Sequence, residues 1–149
     1  MTAASGRLLG NKDVMSLRVY YEDTDAQGVV YHANYLRYAE RARSELVRLL
    51  GISQRRLKDE QGLVFAIKRA TIDYRAPARL DDLLEIHTSF SEIRAASLIA
   101  QQSIFSGSHL IVDIQVHVAM VSLATGRPAR VPPEVKRPLL MLCQSGKGE

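Results

Sequence analysis

The chain has 149 residues, 46% of them hydrophobic and 24% charged, which is the balance of an ordinary folded domain and excludes a disordered or fibrous class. No run of eighteen apolar residues occurs, which excludes a membrane-spanning helix, and the start MTAASGRLLGNKDVMSL lacks a signal peptide's apolar core, so a cytoplasmic protein is expected. A net charge of +4 and a pI of 9.4 favour anionic partners, while the single Cys143 forbids an intrachain disulfide.

Residues 1–16 carry small and polar side chains without a persistent period, and this segment and the GKGE end are expected to be loose. Leu17 to Tyr21 reads as a short strand. From residue 34 to 50, apolar side chains recur at Tyr35, Ala39, Ala42, Leu46 and Leu49 or Leu50, while Arg37, Arg41, Ser44, Glu45 and Arg48 fall mostly elsewhere. That spacing predicts an amphipathic helix about 25 Å long, stopped by Gly51.

After a polar linker at 53–62 the period changes to two. Ala70, Ile72 and Tyr74 alternate with polar neighbours, as do Leu84, Ile86 and Phe90. The clearest strand carries Leu110, Val112, Ile114, Val116, Val118 and Met120 on one face and Asp113, Gln115 and His117 on the other. Turns are expected at 76–82, near Arg94 and at 106–109, the last as a hairpin, so an antiparallel meander should run from Leu83 onward.

One face of that sheet needs an apolar cover, and the one long helix can supply it. The prediction is an α+β fold: an antiparallel sheet wrapped around a single central helix, one domain over 1–149 with its core at about 16–135. Residues 119–123 are apolar on both faces, which predicts a second copy covering or extending the sheet, hence a homo-oligomer, dimer or tetramer.

Ahead of the helix, residues 22–36 read EDTDAQGVVYHANYL, an unusual density of polar groups. Asp23, Asp25 and Asn34 could cap the helix, with Gly28 allowing a tight turn. Alternatively, the helix N-terminus aims unpaired N–H groups at a developing oxyanion, and a nearby carboxylate attacks a carbonyl or activates water. Together these would be half of an acyl-transfer site.

The run DTDAQGVVYHANYLRYAERAR resembles the signature of hotdog-fold acyl-CoA thioesterases of the 4-hydroxybenzoyl-CoA thioesterase family, most of all its YbgC-type branch, associated with the Tol-Pal envelope system. The likeness continues through YRAPARLDDLLEIHTSFSEIRAASL and ATGRPARVPPEV, covering about 16–135.

The resemblance implies that Asp25 is the catalytic carboxylate, as nucleophile or general base. It makes His32 a catalytic residue too, set where the family presents a backbone N–H to the thioester oxygen, with its ring also available to orient substrate or the attacking water. Gly28 and Tyr31 fall beside them, and Glu40 falls where benzoyl-specific members hold a carboxylate near the acyl group. Arg94 and Ser97 match the strand-turn position near the nucleotide, and Lys68, Arg69 and Arg75 are further candidates for the CoA phosphates.

CoA then belongs to the substrate, and no separate cofactor is implied. No metal is expected, because His32, His87, His109 and His117 form no ligand spacing. Nucleic acid is set aside, because acidic residues interrupt RARSELVR and QRRLKDE and no aromatics interleave them.

Other readings stay open. Hydratases and dehydratases share the fold, and a non-catalytic adaptor could bind acyl thioesters or acyl carrier protein and envelope-associated proteins, peripheral at the inner membrane.

Overall fold

In the computed structural model, which describes residues 6–143, the sheet begins earlier than the sequence pattern suggests. β1 (Arg7–Leu9) and β2 (Lys12–Arg18) form an antiparallel hairpin, and Asp13, Val14 and Met15 are buried. The expectation of a loose segment at 1–16 is therefore corrected for residues 7–16, while residues 1–5 lie outside the described residues. Alternation was invisible there because Val14 and Met15, on opposite faces, are both covered. The GKGE end lies outside the described residues.

Four longer strands follow: β3 (Leu63–Tyr74), β4 (Leu83–Ile93), β5 (Ser97–Ser106) and β6 (His109–Ser122). They join β1 and β2 in one antiparallel sheet of order β1-β2-β4-β5-β6-β3. The meander from Leu83 and the hairpin at 106–109 appear as expected.

Register aligns the inward side chains in rows across the sheet. One row is Met15, Ile86, Ile104 and Val112, all almost fully buried. The next row, Asp13, Thr88 and Gln102, is polar, although each of these side chains is fully buried.

The helix α1 (Asn34–Leu49) packs on this face through Tyr35, Tyr38, Ala39, Ala42, Leu46 and Val47. Small residues at 39 and 42 allow close approach, and the Gln102 side chain donates to the Ala39 carbonyl at 2.9 Å. Gly51, at a φ of 85°, ends the helix as expected. Leu49 is 41% exposed, so the buried stripe runs through Tyr38 and Val47 instead.

Three further expectations change. The linker at 53–62 contains a short helix α2 (Gln54–Arg56) that continues as a π-helical turn, Leu57–Gln61. Beyond the expected core limit lies α3 (Pro133–Leu140), which buries Val135 and Leu139. Finally, the doubly apolar end of β6 is partly covered by its own chain: residues 127–129 fold back along it, with Ala129 N–H donating to the Met120 carbonyl and Ser122 N–H to that of Arg127.

β1 and β3 are the edges of the sheet. β1 is short, whereas β3 is a long free edge whose Ile67 is 51% exposed. No helix among the described residues is long and apolar enough to cross a membrane.

Candidate active site

Between β2 and α1 the chain builds a small hairpin. A 3-10 turn (Tyr21–Asp23) is closed by the Asp23 carboxylate, which accepts from the Tyr20 N–H at 2.8 Å. A bridge between Thr24 and Val30 then brings the two arms together, and Asp25 opens the tip. There the Asp25 N–H donates to the Val29 carbonyl at 2.8 Å and the Gly28 N–H to the Asp25 carbonyl at 3.0 Å. Gly28 has a φ of 81°, a conformation costly for any residue with a Cβ.

The tip orients the Asp25 side chain. Its Oδ1 accepts from the Gln27 N–H at 2.8 Å and, at longer range, from Val29 N–H at 3.4 Å. Oδ2 has no partner among the described residues, and the residue is exposed. One oxygen is thus anchored and the other presented.

The second arm leads into α1, and neither aspartate nor Asn34 caps it. Ala33 is the N-cap, already helical in backbone, with no capping side chain. Asn34 instead reaches back, its Nδ2 donating to the Asp23 carbonyl at 2.9 Å, and the Tyr31 N–H donates to the same oxygen. The backbone N–H groups of His32 and Ala33 donate to nothing among the described residues. They are the orphan donors expected at a helix start, where the helix dipole also favours negative charge.

Aromatic rings fix this end. The His32 ring lies 4.6 Å from that of Tyr31 and 6.3 Å, edge-on, from that of Tyr74. The Tyr74 hydroxyl donates to the His32 carbonyl at 3.2 Å, and the Tyr35 hydroxyl accepts from the Ala78 N–H at 3.1 Å. A groove lined by Val30, His32, Tyr35, Tyr74, Arg75 and Pro77 opens beside them. Burial, with the charge of Asp23 adding to it, pushes the Tyr38 phenol well above its ordinary pKa, so it stays protonated beside that carboxylate.

The remaining sequence-derived residues are spread out. Glu40 lies on α1, on the wall of a separate cleft. Lys68 and Arg69 are exposed on β3, Lys68 at a bulge. Arg94 pairs with Glu92 in the β4–β5 turn, where its N–H donates to the Ser97 carbonyl at 2.7 Å. That turn is at the far end of β4 from Asp82, which anchors the Asp25 side of the fold through Val19. Eleven strand residues separate the two ends, about 35 Å. A single copy therefore brings Asp25, Gly28, Tyr31 and His32 together and leaves Arg94 and Ser97 apart.

Residues 19–139 match the model of the thioesterase-like superfamily. The chain belongs to that family. Within it, the chain is of the YbgC type: it is 44% identical over 129 residues to the acyl-CoA thioesterase YbgC of Haemophilus influenzae, covering 87% of this chain and 95% of that one. Among solved structures, a probable thioesterase from Bartonella henselae is 37% identical with a TM-score of 0.76, covering 80% and 98% of the two chains. The 4-hydroxybenzoyl CoA thioesterase of Pseudomonas sp. strain CBS-3 superimposes with a TM-score of 0.79 over 85% and 98% at 23% identity, a likeness of fold. The thioesterase-like chain thus has the hotdog fold.

One participant escaped the sequence reading: Tyr74 clamps His32 from the end of β3, and it has no local signal because it acts on a segment that only the folded chain brings near. Asn34, read as a possible cap, instead ties the helix start to Asp23.

Proposed function

We propose that this chain is an acyl-CoA thioesterase that hydrolyses the thioester to free acid and CoA. Asp25 acts as nucleophile or general base, and the His32 and Ala33 N–H groups bind the oxyanion. The observation that carries this reading is the pairing of two unoccupied N–H groups at the first turn of α1 with a carboxylate oxygen held ready on the adjoining hairpin. As nucleophile, Asp25 would form an anhydride with the acyl group and expel the CoA thiolate, and water would then release the acid. As base, it would take the proton of the attacking water. Thiolate is a weakly basic leaving group, so no strong general acid is needed.

The rest of the site comes from a second copy. β3 is a long free edge, and antiparallel self-pairing about its middle sets the Tyr74 end of one strand against the Leu63 end of the other. His32 lies at the Tyr74 end, joined by the tyrosine hydroxyl. Arg94 and Ser97 lie toward the Leu63 end, because Ser97 pairs with Ala119 near where Leu63 pairs with Ser122. Two-fold pairing therefore supplies Arg94, with Lys68 and Arg69 on the shared edge, to the partner's CoA phosphates. Glu40 and Tyr31 are then the candidates for contact with the acyl group.

Thiol release from short, long and aromatic acyl-CoAs tests the activity; turnover of at least one class is expected, and no turnover of any would favour the adaptor reading. Sedimentation equilibrium tests the assembly. Ile67→Lys, which puts a charge on the free edge, is expected to shift the protein toward monomer and to lower turnover with it. A wild type that is monomeric yet fully active would reject the shared site.

A further inference from the structure

The sheet face turned away from α1 carries a chain of three polar side chains that the Asp25 site does not use. On β2, Asp13 and Met15 point inward, so Lys12 points outward; on β4, Ile86 and Thr88 point inward, so Glu85 and His87 share the outer face with it. The Lys12 Nζ lies 2.9 Å from His87 Nδ1, and His87 Nε2 lies 3.2 Å from Glu85 Oε1. The imidazole packs on the Phe105 ring, with 4.6 Å between centroids. β5 and β6 separate β2 and β4 from the β3 edge, so strand pairing at β3 leaves this cluster open.

A lysine ammonium only donates, so this contact fixes the tautomer of the ring: Nδ1 holds the lone pair, and Nε2 holds the proton that it donates to the Glu85 carboxylate. A pair that served only to neutralise surface charge would set the ammonium against the carboxylate directly. Lys12 forms no ion pair among the described residues, and the imidazole stands between the two charges instead. The order amine, imidazole, carboxylate is that of an activated nucleophile, held within hydrogen-bond reach of a base that a third group orients. Ser103, opposite His87 on β5, takes no part, because its hydroxyl donates to Asp113 at 2.8 Å.

We infer that Lys12 is an acylation site, taking its acyl group from a short-chain acyl thioester with His87 as the base. His87 Nδ1 takes one proton from the ammonium, and Glu85 faces the imidazolium that results. The freed Nζ lone pair attacks the thioester carbonyl carbon, the C–S bond breaks, and the thiolate leaves with a second amine proton. The products are an N-acyl lysine, a free thiol and the proton that the imidazolium returns to solvent. Lys12 is half-buried, which favours a short acyl group. The amide remains on the protein, so the step is a single modification and not a turnover. It goes beyond the thioesterase reading, since it needs neither Asp25 nor hydrolysis.

The full-length protein is incubated with acetyl-CoA at about pH 7.5, and the acetylated fraction at each lysine is followed by peptide mass spectrometry. Lys58, Lys68 and Lys136 have no histidine partner among the described residues and serve as internal references. Ratios within one molecule are unaffected by any hydrolysis of the donor. Lys12 is expected to react at least about tenfold faster than each reference, a modest share of what a positioned base supplies, and His87→Gln should bring it within about threefold of them. Glu85→Gln, which keeps the acceptor and loses the charge, should slow Lys12 more than Glu85→Asp, which keeps the charge. Asp25→Asn should leave the ratio as it is. A wild-type ratio near one, an unchanged ratio in His87→Gln, or a greater loss in Glu85→Asp than in Glu85→Gln would overturn the site. If His87→Gln does not fold, the wild-type ratio and the two Glu85 variants decide. A protein acetylated selectively at Lys12 that hydrolyses no thioester would reject the thioesterase reading and leave this one standing; turnover with a ratio near one would do the reverse.

Discussion

Asn in place of Asp25 is expected to cut thioester turnover at least about a hundredfold, the scale of losing a principal charge-stabilising or reacting group. The substitution is nearly isosteric, and its oxygen can still accept from the Gln27 and Val29 N–H groups. The hairpin tip should therefore persist, with thermal stability changed by no more than about 0.5 kcal/mol, as for other exposed positions. What disappears is the anionic oxygen that no described residue holds. His32→Ala should cost much less, under about tenfold, because the donor assigned to that residue is its backbone N–H and not its ring. Thiol release by the three proteins in parallel, with melting curves for each, checks this. Equal turnover by Asp25→Asn and wild type would remove Asp25 from the mechanism, and an equal loss in His32→Ala would move the chemistry to the imidazole.

The second large effect concerns stability. Asp13 is fully buried on the inner face of β2, and neither carboxylate oxygen has a hydrogen-bond partner among the described residues. Gly6 packs so close that a Cβ there would stand 2.4 Å from Oδ1. Burial raises the Asp13 pKa from the ordinary 3.8 to about 6, with the charge of Arg7 opposing the rise. Between those values the folded protein holds a proton that the unfolded chain has released, so stability falls as pH rises through that window. The gap corresponds to about 3 kcal/mol, absent below about pH 4 and fully expressed above about pH 7. Asp13→Asn, which cannot ionise, is expected to stabilise the fold by up to that amount at pH 7.5, or roughly 6 to 12 °C in Tm. The gain should vanish at pH 4. Denaturation of both proteins at the two pH values measures it; a gain independent of pH, or a loss at pH 7.5, would rule out the buried charge as the cause.

Position along the chain decided which features were legible. The expected helix at 34–50 matches α1 (Asn34–Leu49) because its apolar residues recur at helical spacing within one continuous segment. β6 was equally readable, its inward face running from Val112 to Met120. β2 was not, because Asp13 breaks the apolar pattern of its inner face and Val14 fills the outer one. α3 was not predicted: Pro132, Pro133 and Pro138 interrupt its helical pattern, although proline at a helix start only removes an N–H that would have no intrahelical acceptor. In the site, the polar density of residues 22–36 was plain, but the choice between helix cap and acyl-transfer site was not. That choice depended on where each side chain pointed.

By itself, the sequence determined the α+β class, the central helix, the meander from Leu83 and the family to which the run from Asp23 to Arg43 belongs. These follow from periodicity and from an ordered motif, both of them local properties of the chain. Only the tertiary structure decided that Asp25 and Asn34 do not cap α1, that Tyr74 holds His32 and that Arg94 sits at the opposite end of the sheet. It also placed Asp13, Thr88 and Gln102 in one buried polar row, with Arg43 anchored above it. Those facts depend on strand register and on the face each residue takes. A register shift of one residue would exchange the two faces of a strand without changing a letter of the sequence.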